Sequence, residues 1–297
     1  MPLPSRGADR GSRSDGRRQR RRRARQRSRD GQLNNLPGDS GGGTDYSGYL
    51  LIDDLLQLQR PLTEGAADEL LFIIVHQSYE LWFKLVLHEL EGARSALFAG
   101  KPWAATPRVR RAVAVDRLLL HHLDVLETMS PDRFFEFRDP LAPASGFESV
   151  QFREIELISG GVEASPGAVA AHGEAARSRL ARRASEPTLW DAVVSCLSQH
   201  GLLSGHTGTP SDSDVIEAVT AIYRSHEASE RAALHELFEA LLDHDEAIAR
   251  WRHHHMLMAA REIGRRPGTG GSLGVEYLAR TLGTRFFPVL WETRSML

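Results

Sequence analysis

Residues Phe72 to Lys84, Phe-Ile-Ile-Val-His-Gln-Ser-Tyr-Glu-Leu-Trp-Phe-Lys, set one imidazole in the middle of an otherwise apolar and aromatic segment. At about 3.6 residues per turn, Phe72, His76, Tyr79 and Phe83 share one face of a helix. A polar ring on such a face needs a partner, because burying a polar group unpaired costs about 1–3 kcal/mol. The partner is either another core group or a ligand. Taken alone, the stretch favours a satisfied core histidine; the rest of the chain turns that preference round.

From Thr44 onward the pattern is helical nearly throughout. The spacing predicts a short amphipathic helix over Leu50–Leu58, ended by Pro61, and a long apolar one over Asp68–Phe98, closed by Gly100. Pro107–Met129 follows with helical periodicity. Ser130-Pro131 is an N-cap with proline at the first helical position, so a short helix begins there and should stop before Pro140. Val150–Ile158 is ended by Gly160-Gly161, and residues 161–185, rich in Ala, Gly and Arg, suggest an excursion or hairpin. Further helices are expected over 187–200, 213–240, 244–263 and Val275–Leu282. No alternating strand pattern and no internal repeat is visible. The expected class is all-α: one main helical core over 44–297, behind a disordered Arg-rich tail over 1–43.

Charge supports that division. The chain of 297 residues has a formal charge of −2, but residues 1–43 hold 12 Arg, no Lys and 4 Asp, a net +8. The remainder, with 25 basic and 35 acidic residues, carries −10. An acidic body is a poor match for the phosphate backbone, and the tail has no aromatic residue among its arginines to stack on bases, so no nucleic-acid partner is expected. The single cysteine, Cys196, excludes an internal disulfide framework and any Cys-rich zinc or iron–sulfur site. The longest unbroken apolar run is Leu70–Val75, far short of the roughly 20 residues that span a bilayer. No apolar stretch follows the early arginines as a secretory signal requires. These features suit a soluble cytoplasmic protein with no membrane partner.

Three more constellations carry chemistry. Trp251-Arg-His-His-His-Met presents three imidazoles about 100° apart, so at most one or two face a given centre. His255 shares a stripe with Ile248, Trp251 and Met258, and His254 one with Ala247, Trp251 and Met258; periodicity does not choose between them. Phe134-Phe-Glu-Phe-Arg138 places aromatic rings beside a guanidinium, the bidentate clamp for a carboxylate. By itself that is more often an aromatic core edge with a surface arginine. Gly268-Thr-Gly-Gly-Ser272 lacks the lysine of a phosphate-binding loop, yet its glycines permit close backbone approach and Thr269 offers a hydroxyl. No nucleophile elbow or Ser–His–Asp order is visible, and no Glu-x-x-His pair of the kind that builds a di-metal site.

Together these motifs resemble the tryptophan 2,3-dioxygenase family. Six stand in order: Tyr46-Ser-Gly-Tyr-Leu, Phe72–Lys84, Phe134-Phe-Glu-Phe-Arg-Asp, Ser145-Gly-Phe-Glu-Ser-Val-Gln-Phe-Arg153, Trp251-Arg-His-His-His and Gly268-Thr-Gly-Gly-Ser. The resemblance runs from about Tyr46 to Arg294. It implies haem b, ferrous when active, with His255 as the axial iron ligand, the histidine that ends Trp-Arg-x-x-His. It implies a catalytic distal histidine at His76, an indole slot formed by Phe72 with Ile73, Ile74 and Val75 in the same substrate-binding run, and Phe134 beside it. Arg138 corresponds to the carboxylate clamp, and Thr269 to the threonine at the substrate's amino-acid end. L-Tryptophan and O2 are the implied substrates. Tyr46 and Tyr49 match tyrosines that reach a neighbouring subunit's site, and family members are homotetramers. The chain departs from the pattern at Ser272-Leu273-Gly274, in residues 161–185, and in the arginine tail.

Overall fold

The computed structural model describes residues 45–142, 144, 148–160, 173–203, 210–225, 229–270 and 273–297. The arginine tail, Ser145–Phe147, Gly271 and Ser272 lie outside the described residues. The chain forms two units, one ending at Leu58 and one running from Gln59. In the first, the Asp45 side chain accepts from the Gly48 amide at 2.6 Å and caps α1 (Tyr46–Leu50). Leu51, at φ 50°, then breaks the chain into α2 (Ile52–Leu55). Neither helix buries a residue. The second unit thus starts later than the compositional boundary at 43/44, and burial has not yet begun in these two helices.

In the second unit, α3 (Glu69–Phe98) is long because nothing in its 30 residues breaks it before Gly100, which takes φ 69°. The Glu69 carboxylate, almost fully buried, accepts from the amides of Leu62 and Thr63 at 2.7 and 2.8 Å and ties down the incoming loop. Among the described residues, α3 alone is long and apolar enough by composition to cross a membrane. Here its apolar residues Val86, Leu90, Ala93 and Leu97 sit fully buried in the core. α4 (Pro102–Leu126) starts five residues earlier than expected and carries Pro107 in its second turn. It packs along both α3 and α10 (Ser229–Ile263), and these three helices form the body of the core. α5 (Pro131–Leu141) runs through Pro140 rather than stopping before it, and α6 (Val150–Ser159) ends at Gly160 in the left-handed region (φ 98°).

The sequence suggested a helix break near 240–244, where Asp243-His-Asp interrupts the apolar pattern; α10 instead runs straight through. The polar residues are buried and paired. His244 Nδ1 lies 2.6 Å from Asp116 Oδ2 on α4, and its Nε2 lies 3.1 Å from Ser159 Oγ on α6. Asp245 Oδ2 accepts from the Phe286 and Phe287 amides at 3.0 and 3.2 Å and from Trp291 Nε1 at 2.9 Å. The Ser–His–Asp grouping has the contacts of a nucleophilic triad, but all three side chains are sealed in the core, so it acts as a clasp between helices.

The second half of the region expected to be an excursion is α7 (Glu174–Ser185), held by Arg183, which is 8% exposed and pairs with Glu91, Glu154 and Glu186. Residues 161–172 lie outside the described part. α8 (Leu189–Gln199) and α9 (Asp212–Arg224) each open on a capping box, Thr188 with Asp191 and Ser211 with Asp214. α11 (Val275–Arg280) and α12 (Pro288–Thr293) close the chain. No strand occurs among the described residues, in keeping with the all-α expectation.

Candidate functional site

A cavity of about 540 Å³ opens within the second unit, walled by α3, α4, α5, α6, α10 and the loop leading into α11. That volume falls in the usual range for a pocket holding a sizeable organic ligand, roughly 300–1,000 Å³. The face predicted from the period of α3 lines it: Phe72, His76, Tyr79 and Phe83 all reach the cavity.

His76 is held by its own helix. Its Nδ1 lies 2.7 Å from the Phe72 carbonyl one turn back. A carbonyl only accepts, so Nδ1 carries the proton and, in the neutral ring, Nε2 is left with a lone pair. Burial lowers the pKa of His76, against smaller raising effects from the Phe72 carbonyl and Glu80, so the neutral ring is favoured. Phe72 packs on it at a ring separation of 4.0 Å and stacks on Phe134 at 5.9 Å, giving a flat aromatic wall.

The three consecutive histidines go three ways. His253 is exposed and lines a separate surface pocket with Arg285 and Trp291. His254 pairs with Glu127 at 3.2 Å. His255 alone of the three lines the large cavity. Burial lowers its pKa to about 4, with His76 and His254 adding to the effect, so the ring is neutral across the physiological range. Its imidazole stacks on Trp251 at 5.0 Å and 25°.

At the rim, Arg138 donates through Nη2 to the Pro267 carbonyl at 2.6 Å, and Thr269 Oγ1 donates to the Ala144 carbonyl at 2.7 Å. These two bonds stitch the end of α5 to the glycine-rich loop. Arg138 Nε is buried, with no hydrogen-bond partner among the described residues. The Arg138 side chain lines the cavity, and a guanidinium there is a ready partner for an anionic ligand. The loop turns back at Gly274, at φ 59°, where an added Cβ would meet the Arg266 carbonyl at 2.6 Å.

Not every expected residue reaches the cavity. Successive residues on α3 point about 100° apart. Ile73 is half-buried, Ile74 is 46% exposed and Val75 is packed in the core, and none of the three lines the pocket. Other residues line it without having been singled out. Glu156 accepts from both Arg153 and Arg252. Glu262 Oε2 is buried without a partner, and burial raises that carboxyl's pKa. Trp251 and Tyr79 were signalled only by helical spacing, one turn before His255 and just after His76.

The cavity therefore combines a neutral imidazole with no hydrogen-bond partner seen among the described residues, apolar walls from Leu123, Leu126, Met129 and Met258, and charged groups of both signs. That donor set fits a haem, which His255 would hold.

The comparisons with known proteins agree with the motif order. The family model described as tryptophan 2,3-dioxygenase matches residues 31–167 and 172–297. The match begins inside the compositional tail and skips only 168–171, so most of the region 161–185, read from sequence as a departure, is part of the family pattern. A tryptophan 2,3-dioxygenase of Nocardioides sp. is 42% identical over 270 residues, covering 88% of this chain and 97% of that protein. Those of Herpetosiphon aurantiacus and Anaeromyxobacter sp. (strain K) are 40% and 39% identical, each over 85% of this chain and 98% and 96% of their own lengths. The chain belongs to the tryptophan 2,3-dioxygenase family.

Proposed function

We propose that the chain is a haem-dependent dioxygenase that inserts both atoms of O2 across the C2–C3 bond of L-tryptophan, giving N-formyl-L-kynurenine, the first step of tryptophan catabolism by the kynurenine route. The observation that carries this reading is the placing of His76, His255 and the Arg138 guanidinium around one cavity. Haem b, held by His255, supplies the oxygen chemistry, and the protein supplies binding, orientation and polarity.

Each residue then has a role its surroundings support. Arg138 and Thr269 take the carboxylate and ammonium end of the amino acid. Phe72 and Phe134 flank the indole. His76 Nε2 accepts the indole N–H in its neutral form and orients the ring; an indole N–H is far too weak an acid to match an imidazole base. Fixing both ends of the substrate lowers the barrier by several kcal/mol, up to about 7–11 in well-oriented intramolecular cases. Tyr46 and Tyr49, 77% and 75% exposed, are free to reach a neighbouring subunit's site in a homotetramer. The enzyme is cytoplasmic.

The test is an absorption spectrum of the ferrous protein before and after L-tryptophan is added in air. A Soret band with growth of N-formylkynurenine is expected; a Soret band without product overturns the substrate assignment. In parallel, His255→Ala should lose haem while His253→Ala and His254→Ala retain it. Equal haem loss in all three would sink the ligand assignment.

A further inference from the structure

Beyond the groups that face substrate, a chain of contacts runs behind His255. Trp251 stands one helical turn before it on α10 and lies nearly parallel to its ring, at 5.0 Å and 25°. The indole is wedged in place by Phe152 at 5.1 Å and Tyr79 at 6.1 Å. Its Nε1–H donates to Tyr79 Oη at 3.1 Å, and the Tyr79 hydroxyl donates onward to the Leu119 carbonyl at 2.6 Å. A backbone carbonyl of α4 thus holds a phenol of α3, the phenol holds an indole of α10, and the indole lies against the imidazole. Tyr79 is 7% exposed, and burial drives its hydroxyl pKa upward, so it stays a neutral donor at working pH.

An axial imidazole's bond to iron depends on the orientation and basicity its surroundings impose. Such control usually comes from a hydrogen bond to the second ring nitrogen. Among the described residues none is seen on His255, and the aromatic stack takes its place. We propose that Trp251 and Tyr79 are positioning residues for the axial ligand: Tyr79 locks the indole, and the indole fixes the plane of the His255 ring and thereby tunes the iron. This rests on His255 being that ligand.

The test uses haem-loaded full-length protein and two conservative variants, Tyr79→Phe and Trp251→Phe. Tyr79→Phe removes the acceptor for the indole N–H, and Trp251→Phe keeps an aromatic ring but loses its hydrogen bond. The readouts are the iron–histidine stretching band of the ferrous form, the iron reduction potential, the rate of haem transfer to apomyoglobin, and thermal stability. The expected result is a shifted band and a shifted potential in both variants, with haem loss about tenfold or more faster in Trp251→Phe, in line with other groups that support a metal ligand. A merely structural role lowers thermal stability and leaves band and potential where they were, and that result in both variants overturns the proposal. Should Tyr79→Phe fail to fold, Trp251→Phe decides alone. His255→Ala separates the two readings: an iron–histidine band that survives it refutes the ligand assignment itself, whatever the other variants do.

Discussion

At the residue scale, Arg138 brings a guanidinium to the wall of the cavity. Arg138→Ala removes a charge-assisted hydrogen bond worth about 1.5–3 kcal/mol, so KM for L-tryptophan should rise by about 10- to 150-fold. Steady-state kinetics check this; an unchanged KM would count against the clamp. His76 makes a prediction in pH. It must be neutral to accept the indole N–H, and burial lowers its pKa from 6.5. Protonation therefore sets in only below pH 6.5, and the acid limb of kcat/KM, which reports the free enzyme, should lie on the acid side of that value. A limb at or above 6.5 that disappears in His76→Ala would contradict the role. The imidazole face was legible in the sequence because helical period alone gathers Phe72, His76, Tyr79 and Phe83. Which of the three consecutive histidines enters the cavity was not legible from periodicity, since His254 and His255 share Trp251 and Met258 as stripe partners; only the family motif pointed to His255, and the neighbouring helix separates the two. Glu127 on that side takes His254.

At the element scale, α10 depends on polar groups that the hydrophobic pattern reads as an interruption. The clasp of His244 with Asp116 and Ser159 lets one helix run from the core to the cavity and carry His255 with it. Replacing His244 with Leu leaves the Asp116 carboxyl, 1% exposed, without that partner. The expected loss is about 3–5 kcal/mol, read from the urea midpoint of the apoprotein at constant slope. A loss below about 1 kcal/mol would mean that packing alone carries the helix. The break expected near 240 fails for the same reason. A polar triplet looks like a loop until its partners, 128 and 85 residues away in sequence, are brought beside it.

For the whole molecule, the division at Leu58 sets Tyr46 and Tyr49 in one unit and the cavity in the other. Every residue lining the cavity belongs to the second unit. Deleting 1–43 should leave haem content and turnover unchanged. Deleting 1–58 removes Tyr46 and Tyr49 and should raise KM for tryptophan while haem per chain stays near that of the intact protein. Equal kinetics in the two truncations would remove the tyrosines from the site, and light scattering on both reports whether the assembly depends on them.

The helical class, the apolar face of α3, the acidic body and the ordered set of motifs that marks the family could all be read from the chain before it folds. All of these are written in local spacing or in residue type. Tertiary structure decided which of the neighbouring polar groups are satisfied and which are left facing the cavity. Arg138 is half-used, His254 is taken by Glu127, His244 is sealed in the core, and His255 stands against Trp251. Hydrogen bonding and burial depend on partners far along the chain, and no periodicity within one helix encodes who those partners will be.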